Sequence, residues 1–432
     1  MKATPILWAI LAALLLTYVL PKDSFGQGFF IGNRWSQTAT NNGILSQGDA
    51  TTLTWGFLRD GTAITPALSG ESSDPSSLIN FLDTNIGAGG GGSDLTNRPW
   101  FRLFEESYDR WGDVSGLSFN YEAADNGDDI RDFPAGELGV VADMRIGGHS
   151  IDGQTGGNTL AYNYFPNAGD MVIDTDNVTF YSNGSDDHIR LRNVIMHEVG
   201  HGLGISHLVS DDSRFLMEPF IDVSFDGPQF AEILAVHRMY GDNNEENGGN
   251  DVAGDATSLG EVSGKPIVIG EDARTKVIAA DAVDFVSIDG TSDTDFFSFE
   301  VTGMAKDIKI DLTPLGPTYH AERQDGTDSN TFDSSAQNDL TLTLFDTDGS
   351  TILETSNING LGGVESIKRL LATGTYFIRI TGAQNEAQFF ELEVASVPEP
   401  GALAMMFVLV AVGSAFYWKK RRKNHQAAQA VS

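Results

Sequence analysis

Three histidines and a glutamate lie within eleven consecutive residues, at a spacing that suits metal chemistry. The segment reads His197-Glu198-Val199-Gly200-His201-Gly202-Leu203-Gly204-Ile205-Ser206-His207. Histidines four residues apart share one helix face, so His197 and His201 can reach the same ion. Gly204 lets the chain leave the helix and turn, which allows His207 to supply a third nitrogen. Three neutral imidazoles and one open position are typical of catalytic zinc, with Glu198 placed as general base.

The composition limits the other kinds of chemistry. The chain has 432 residues, enough for two or three domains, and its 60 acidic and 27 basic residues give a net charge of -33. This balance argues against nucleic-acid binding, which needs a basic surface. It suits carboxylate-rich loops that hold calcium. Because cysteine is absent, a metal must be held by histidine, carboxylate or carbonyl groups.

Helices and strands are expected around the histidine segment. The segment itself falls in a predicted helix over 187–202, and a later helix over 229–240 ends at Gly241. Upstream, Pro99 suits the first turn of a helix. The aromatic residues that follow recur at helical spacing and predict a packed core face, made of Phe101, Phe104, Tyr108 and Trp111. Strands are predicted over 51–57, 117–121 and 140–146.

The chain divides into two folded blocks in this interpretation. The first runs over 27–242, and the polar, glycine-containing stretch 243–250 is the best candidate for a linker. Beyond it, residues 251–396 contain β-rich runs separated by turn residues, which favours an all-β sandwich. With a linker at this place, we expect the first block to fold and work without the second.

Both ends of the chain have the pattern of targeting segments. Residues 1–26 combine a basic start, an apolar run and small residues suited to cleavage, which predicts a signal peptide; an uncleaved anchor is the alternative. Residues 401–418 carry no charge and are long enough for a transmembrane helix, and a basic cluster follows over 419–423. By the positive-inside rule, 425–432 forms a cytoplasmic tail and the protein is exported.

The histidine segment resembles the metzincin signature, and its surroundings resemble the matrixin branch of these zinc peptidases. Residues 192–196 lead into it as in matrixin active-site helices, and 236–241 resembles the closing helix, on which His237 is expected at the surface. Leu216-Met217-Glu218-Pro219 looks like the Met-turn. The resemblance implies an α+β catalytic domain with a mixed twisted sheet and about three helices. It also implies Met217 beneath the metal and Pro219 along the substrate pocket, and proline at 219 speaks against astacins and serralysins.

The stretch before the active-site helix resembles the metal-loop and edge-strand region of matrixins. The family's calcium ligands fall on Asp152, Asp174 and Asn177, which are otherwise ordinary turn residues. Its substrate-pairing edge strand falls on Leu160 and Ala161. Two of the family's structural-zinc histidines are replaced, by Tyr162 and Val172, which leaves His149 alone, so no second zinc is expected.

The second block and the tail resemble two further families. Stretches within 254–257, 295–299, 342–346 and 374–380 look like the bacterial pre-peptidase C-terminal (PPC) domain, a non-catalytic accessory to secreted peptidases. Residues 397–424 are similar to the PEP-CTERM tail of exported bacterial proteins, since Pro398-Glu399-Pro400 precedes the apolar span and the basic cluster. This second resemblance implies a membrane sorting peptidase, an exosortase, as a partner.

The sequence therefore predicts an exported zinc metalloendopeptidase that acts on protein or peptide substrates. Matrixins that are made latent block the zinc with a cysteine, and this chain has none. A different hypothesis is a non-catalytic surface or matrix adhesion protein with a vestigial peptidase fold, although the intact Glu198 argues against it. A third is an enzyme that processes one dedicated partner. The substrate and the cleavage preference do not follow from the sequence.

Overall fold

The computed structural model describes residues 28–130, 135–153 and 159–397. The helices are α1 (Leu78–Leu82), α2 (Phe101–Asp113), α3 (Val178–Tyr181), α4 (Ile189–Leu203) and α5 (Phe230–Tyr240). The strands of the first block are β1 (Thr51–Phe57), β2 (Leu117–Tyr121), β3 (Met144–His149), β4 (Ala161–Asn163) and β5 (Met171–Asp174). The expected signal peptide and the expected span 401–418 with its flanking segments lie outside the described residues.

The strands of the second block are β6 (Thr257–Glu261), β7 (Ile267–Ile269), β8 (Ser287–Ile288), β9 (Thr294–Val301), β10 (Lys306–Pro314), β11 (Thr318–Ala321), β12 (Asn330–Asp333), β13 (Leu340–Phe345), β14 (Ile352–Ser356), β15 (Glu365–Leu371), β16 (Gly374–Gly382) and β17 (Gln388–Val397). They form two sheets, ordered β15-β10-β17-β7, with β8 also paired to β17, and β14-β13-β16-β9-β6, and a separate hairpin of β11 and β12. The two sheets enclose a core that includes Phe297, Ile310, Leu342 and Leu392. The expected sandwich is confirmed.

The first block contains a mixed five-stranded sheet, as the sequence predicted. Its strand order is β2-β1-β3-β5-β4. The first four strands pair in parallel, whereas β4 runs antiparallel to β5 at the edge. Three longer helices, α2, α4 and α5, accompany this sheet.

Helix α2 packs its aromatic face on the sheet. The ring of Trp55 in β1 stacks on Tyr108 at 4.8 Å and on Phe101 at 5.4 Å. Phe104 and Trp111 are also fully buried. Large aromatic side chains contribute most to burial in such a face, so the helical spacing of these residues correctly predicted a core face.

The third strand begins later than the sequence predicted. The expected strand covered 140–146, but β3 is Met144–His149. Residues before it form a tight turn, in which the backbone amide of Val141 donates to the carbonyl of Glu137 at 2.9 Å. The apolar Val140 is 39% exposed at this turn, so an apolar run was mistaken for a strand start.

The two blocks share one hydrophobic core. The ring of Phe389 in β17 lies 5.4 Å from Phe230 and 4.9 Å from His237, both in α5. His237 is fully buried, and its ring nitrogens contact the Ser287 hydroxyl at 2.8 Å and the Val114 carbonyl at 2.7 Å. The expectation of a surface position for His237 is wrong, because the second block covers this side of α5.

The stretch 243–250 is joined to both blocks by hydrogen bonds, including those from the Asn243 side chain to the Asp113 carbonyl and from the Thr257 hydroxyl to Asn244. Asn243–Gly248 forms a 3₁₀ helix, and Asn250 is 1% exposed. The backbone of Asn250 accepts a hydrogen bond from the amide of Phe296 at 2.8 Å, and Asp242 accepts one from the amide of Ser287 at 2.9 Å. A first block that folds alone does not fit this packing. No helix among the described residues is long and apolar enough to cross a bilayer.

Candidate metal centre

Helix α4 carries the first two histidines and ends at Leu203, one residue later than the sequence predicted. Gly204 follows the helix with a φ of 108°, and a Cβ there would lie 2.5 Å from the Asn33 carbonyl oxygen. A side chain is therefore excluded at this position by both conformation and space. The chain turns back at Gly204 and brings His207 beside His197 and His201, so all three predicted ligands meet.

The three imidazoles face one point through their Nε2 atoms. These atoms are 3.1 Å apart for His197 and His201, and each is 3.2 Å from Nε2 of His207. Tetrahedral zinc, with bonds of about 2.0–2.1 Å, places its nitrogen ligands about 3.3 Å apart. The group thus fits a zinc ion. Among the described residues, two clusters of side chains could hold a metal ion, and this is one of them.

Each imidazole is oriented by a contact of its other nitrogen. Nδ1 of His197 donates to the Leu216 carbonyl at 2.6 Å, and Nδ1 of His201 donates to the Ile205 carbonyl at 2.7 Å. Nδ1 of His207 donates to the side-chain Oε1 of Gln324 at 2.6 Å. With the proton on Nδ1, the lone pair of each Nε2 points to the common centre.

Burial keeps these histidines neutral. It lowers the pKa of His197 to about 3, with a further contribution from His207, and that of His207 to about 4 despite its bond to Gln324. Burial and the two neighbouring imidazoles also lower the pKa of His201 well below its ordinary value. Neutral imidazole is the form that binds a metal, so no proton has to be displaced near neutral pH.

Glu198 follows His197 directly in α4 and is a buried carboxyl group. It is fully buried, and within the described residues neither of its oxygens has a hydrogen-bond partner. Burial raises its pKa well above the usual range. A buried polar group without a partner is costly. A water molecule bound to a metal held by the histidines would be a suitable hydrogen-bond donor to this carboxylate.

The predicted Met-turn packs against α4, and its main-chain groups are held by hydrogen bonds. An ideal Cβ at Gly200 would lie 2.6 Å from the Met217 sulfur, so the turn packs closely against α4. The Met217 carbonyl accepts from the Leu208 amide at 3.0 Å, and its amide donates to Glu232 at 3.0 Å. Glu232 also caps α5, and burial raises its pKa to about 7. Pro219, predicted along the substrate pocket, is buried at the end of this turn.

The predicted substrate strand forms the edge of the sheet. Ala161 pairs with Ile173 at the start of β4. The Leu160 carbonyl accepts from the Asp174 amide at 2.8 Å and from the Tyr181 hydroxyl at 2.6 Å, so this oxygen is engaged inside the protein. The chain after β4 then passes the triad, where the Phe165 ring lies 5.6 Å from that of His201.

The predicted calcium ligands lie at the end of β5, just before α3 and in the segment that follows β3. Asp174 is fully buried, and its Oδ2 accepts from the side-chain amide of Asn177 at 2.8 Å. Asp152 is exposed and accepts from the Thr159 amide at 2.9 Å. Burial raises the pKa of Asp174 to about 6. Asp174 and Asn177 are thus hydrogen-bonded to each other, and the charge of Asp152 lies near enough to contribute to the raised pKa of Asp174.

His149 is engaged within the protein. Its Nδ1 contacts the Asp74 carbonyl and its Nε2 contacts Glu71, both at 2.7 Å. Burial alone lowers the pKa of His149, but the bond with Glu71 raises it above the ordinary value. Glu71 also accepts from Tyr162 at 2.7 Å. Both ring nitrogens of His149 therefore have protein partners.

A second group of metal-ligand type lies at the junction of the blocks. One carboxylate oxygen from each of Glu245, Asp293 and Asp295 lies within 4.8 Å of the others. Asp295 is fully buried, and among the described residues neither of its oxygens has a hydrogen-bond partner. Burial and neighbouring carboxylates raise the pKa of Glu245 to about 9 and those of both aspartates well above the usual range. Oxygen ligands of this kind suit a hard cation such as calcium.

Sequence reasoning missed this acidic group and Gln324. Glu245 comes from the stretch read as a linker, Asp293 directly precedes β9 and Asp295 lies in β9, so the members of the acidic group are far apart in the sequence. The density of aspartates over 289–295 was the available signal. Nothing in the sequence near Gln324 indicated a contact with His207, because the two are 117 positions apart.

Two family models match the chain. Residues 91–241 match the matrixin model, and residues 293–382 match the model of the bacterial pre-peptidase C-terminal domain. Among solved structures, the chain is similar to the pre-peptidase C-terminal domain of collagenase from Bacillus anthracis, with 17% identity, a TM-score of 0.18 and coverage of 32% of this chain and 93% of that one.

The curated relatives are metalloproteinases. Metalloendoproteinase 5-MMP of Arabidopsis thaliana is 29% identical over 171 residues, which cover 37% of this chain and 44% of that protein. Matrix metalloproteinase-16 of Mus musculus is 31% identical over 125 residues, which cover 28% and 19%. The chain thus spans less than half the length of these relatives. Its described part contains a domain similar to matrixins, followed by a β-rich domain similar to the pre-peptidase C-terminal domain. At this low identity, the similarities support a metalloprotease.

Proposed function

We propose that this protein is an exported zinc-dependent endopeptidase, with zinc held by His197, His201 and His207 and with Glu198 as general base. The observation that carries the proposal is the convergence of three neutral Nε2 atoms. Next to His197 in the chain, the buried carboxyl group of Glu198 has no hydrogen-bond partner among the described residues. A zinc ion held there would polarise a peptide carbonyl and lower the pKa of a bound water to about 7.

The chain's own residues account for the proton transfers and for substrate alignment. Glu198 accepts the proton of the attacking water and donates it to the amine that leaves. A substrate in extended conformation adds to the edge of the sheet at Leu160 and Ala161, by β-augmentation. Because the Leu160 carbonyl already accepts two hydrogen bonds, this pairing relies on the other main-chain groups of the edge. Pro219 shapes the pocket for the residue after the cleaved bond.

A cleavage assay with metal removal tests this function. The protein is incubated with a diverse peptide library, and the products are identified by mass spectrometry. We expect cleavage that a zinc chelator abolishes and added zinc restores. Cleavage of many peptides supports a broad endopeptidase, whereas cleavage of very few supports processing of one dedicated partner. An absence of cleavage in the zinc-bound protein would refute the proposal.

The rival function is that of a non-catalytic adhesion protein with a vestigial peptidase fold. The large second block would fit this role. The intact Glu198 and the preserved geometry of the three imidazoles favour the enzyme, since a vestigial site has no need of a buried carboxyl group that costs stability. The cleavage assay separates the two hypotheses directly.

Export, anchoring and control remain parts of the proposal. The sequence patterns of 1–26 and 397–424 support export and at least transient anchoring by a C-terminal helix, with an exosortase-like peptidase as partner. Calcium would stabilise the loops of Asp152, Asp174 and Asn177, or the acidic group of Glu245, Asp293 and Asp295. Because cysteine is absent, a cysteine cannot block the zinc, and we propose activity without removal of a prodomain.

A further inference from the structure

The hairpin of β11 and β12 reaches from the second block to the metal centre. A reciprocal pair of backbone hydrogen bonds joins its loop to the first block. The Val209 amide donates to the Glu322 carbonyl at 2.8 Å, and the Glu322 amide donates to the Val209 carbonyl at 2.9 Å. Val209 follows the third predicted ligand, His207, by two residues. The hairpin is thus fixed by main-chain contacts directly beside the site.

Side chains of the hairpin hold it in the same place. The Tyr319 hydroxyl donates to the Gly28 carbonyl at 2.9 Å, and its ring lies 5.0 Å from that of Phe215. The Arg323 guanidinium lies 4.4 Å from the centre of the Phe30 ring and pairs with Asp328 at 2.8 Å. Contacts on both sides of the loop leave Gln324 in a defined position.

Gln324 makes the contact that distinguishes His207 from the other two ligands. Nδ1 of His197 and of His201 donates to a backbone carbonyl of the catalytic block. Nδ1 of His207 instead donates to a side chain of the second block, at 2.6 Å. Main-chain acceptors come with the fold of the catalytic block, whereas the acceptor for His207 depends on the docked hairpin.

We propose that Gln324 is a positioning residue for the metal centre, so that the second block completes the zinc site. Its Oε1 holds the Nδ1 proton of His207, and this fixes the tautomer and ring orientation that direct Nε2 to the ion. The second block therefore takes part in zinc binding in addition to covering the first block. This inference rests on the proposed function for the identity of the metal.

The role of Gln324 is tested by the zinc affinity of the protein, measured by competition with a chromophoric chelator. Gln324→Ala removes the acceptor, and we expect about tenfold weaker zinc binding, as is usual when a partner of a ligand is lost. Gln324→Glu keeps an acceptor oxygen at the same distance along the side chain and should bind zinc within about threefold of the unmodified protein. Ser329→Ala, at an exposed position of the same loop, is the matched control and should change nothing.

The thermal midpoint of the metal-free variants separates positioning from folding. We expect all three to unfold within about 2 °C of the unmodified protein, since Gln324 is exposed except at this contact. Zinc binding by Gln324→Ala equal to that of the unmodified protein would overturn the inference. Equally weak binding by Gln324→Glu would do so too. The assay needs no peptide cleavage, so a zinc-binding protein that cleaves nothing would refute the proposed function alone.

Discussion

The two groups of potential metal ligands differ in the hydrogen bonds and protonation of their side chains when no metal is bound. In the histidine group, every Nδ1 has a partner and the pKa values of the imidazoles are lowered, so each ring is neutral. In the acidic group of Glu245, Asp293 and Asp295, Asp295 is buried without any hydrogen-bond partner among the described residues. Both groups can bind a cation, but only in the histidine group does every side chain make a hydrogen bond to the rest of the protein before it does.

This difference follows from the chemistry of the side chains. A buried imidazole loses its proton and stays compatible with the interior, while keeping a lone pair for the metal. Neighbouring buried carboxyl groups must either take up protons or share a cation. We therefore expect metal removal to cost activity at the histidine group, and to cost stability at the acidic group.

The largest effect is expected from removal of a histidine ligand. His207→Ala leaves two nitrogens, and zinc affinity should fall by more than about 100-fold, since even loss of an outer partner costs 10–100-fold. Peptide cleavage should be lost with the metal. Metal analysis and a peptide assay check this, with His320→Ala in the second block as control. Full zinc occupancy and normal rates in His207→Ala would remove it from the ligand set.

The shared core should make the two blocks unfold together. Phe389→Ala removes a fully buried ring that contacts α5, and we expect a loss of about 3–5 kcal/mol in the free energy of unfolding. Ile352→Ala, at a position 56% exposed, should change it by less than about 0.5 kcal/mol. Denaturant unfolding followed by fluorescence and circular dichroism measures both. Two separate transitions, with the first block unaffected by Phe389→Ala, would show that the blocks are independent.

Calcium should stabilise the protein through the acidic group. Zinc-loaded protein without calcium is titrated with calcium at pH 7.5, and at 100-fold excess over the dissociation constant the gain should reach about 2.7 kcal/mol. Asp295→Asn removes a carboxyl group that must either take up a proton or share a cation, so it should stabilise the calcium-free protein and abolish the response. Asp174→Asn is the comparison for the other proposed site. A calcium response unchanged in Asp295→Asn but lost in Asp174→Asn would place the ion in the loops of Asp152 and Asp174.

The smallest effect is expected at the Met-turn. Met217→Leu conserves volume and should cost less than about 1.5 kcal/mol of unfolding free energy. The histidine nitrogens are held by other groups, including the Leu216 carbonyl, so zinc affinity should stay within about threefold. Thermal unfolding and chelator competition measure the two quantities. A loss of zinc binding as large as that of His207→Ala would show that Met217 supports the metal directly.

The sequence predicted the local parts of the site and missed the parts that depend on tertiary packing. The three histidines meet because a helix and one glycine turn decide their geometry over eleven residues. His237 was expected at the surface, because a resemblance confined to the catalytic block contains no second block to cover it. Gln324 and Asp295 belong to their sites only through the docking of the two blocks, and no local pattern reports such docking.

Substitution of Glu198 by glutamine tests the central claim most directly. Glu198→Gln keeps the three nitrogens and the size of the side chain but removes the base, so zinc content should remain at about one ion per chain. Peptide turnover should fall by about 10²–10⁴-fold. Glu300→Gln, at an exposed position of the second block, should retain full activity. Turnover of Glu198→Gln within about threefold of the unmodified protein, with zinc bound, would contradict Glu198 as general base.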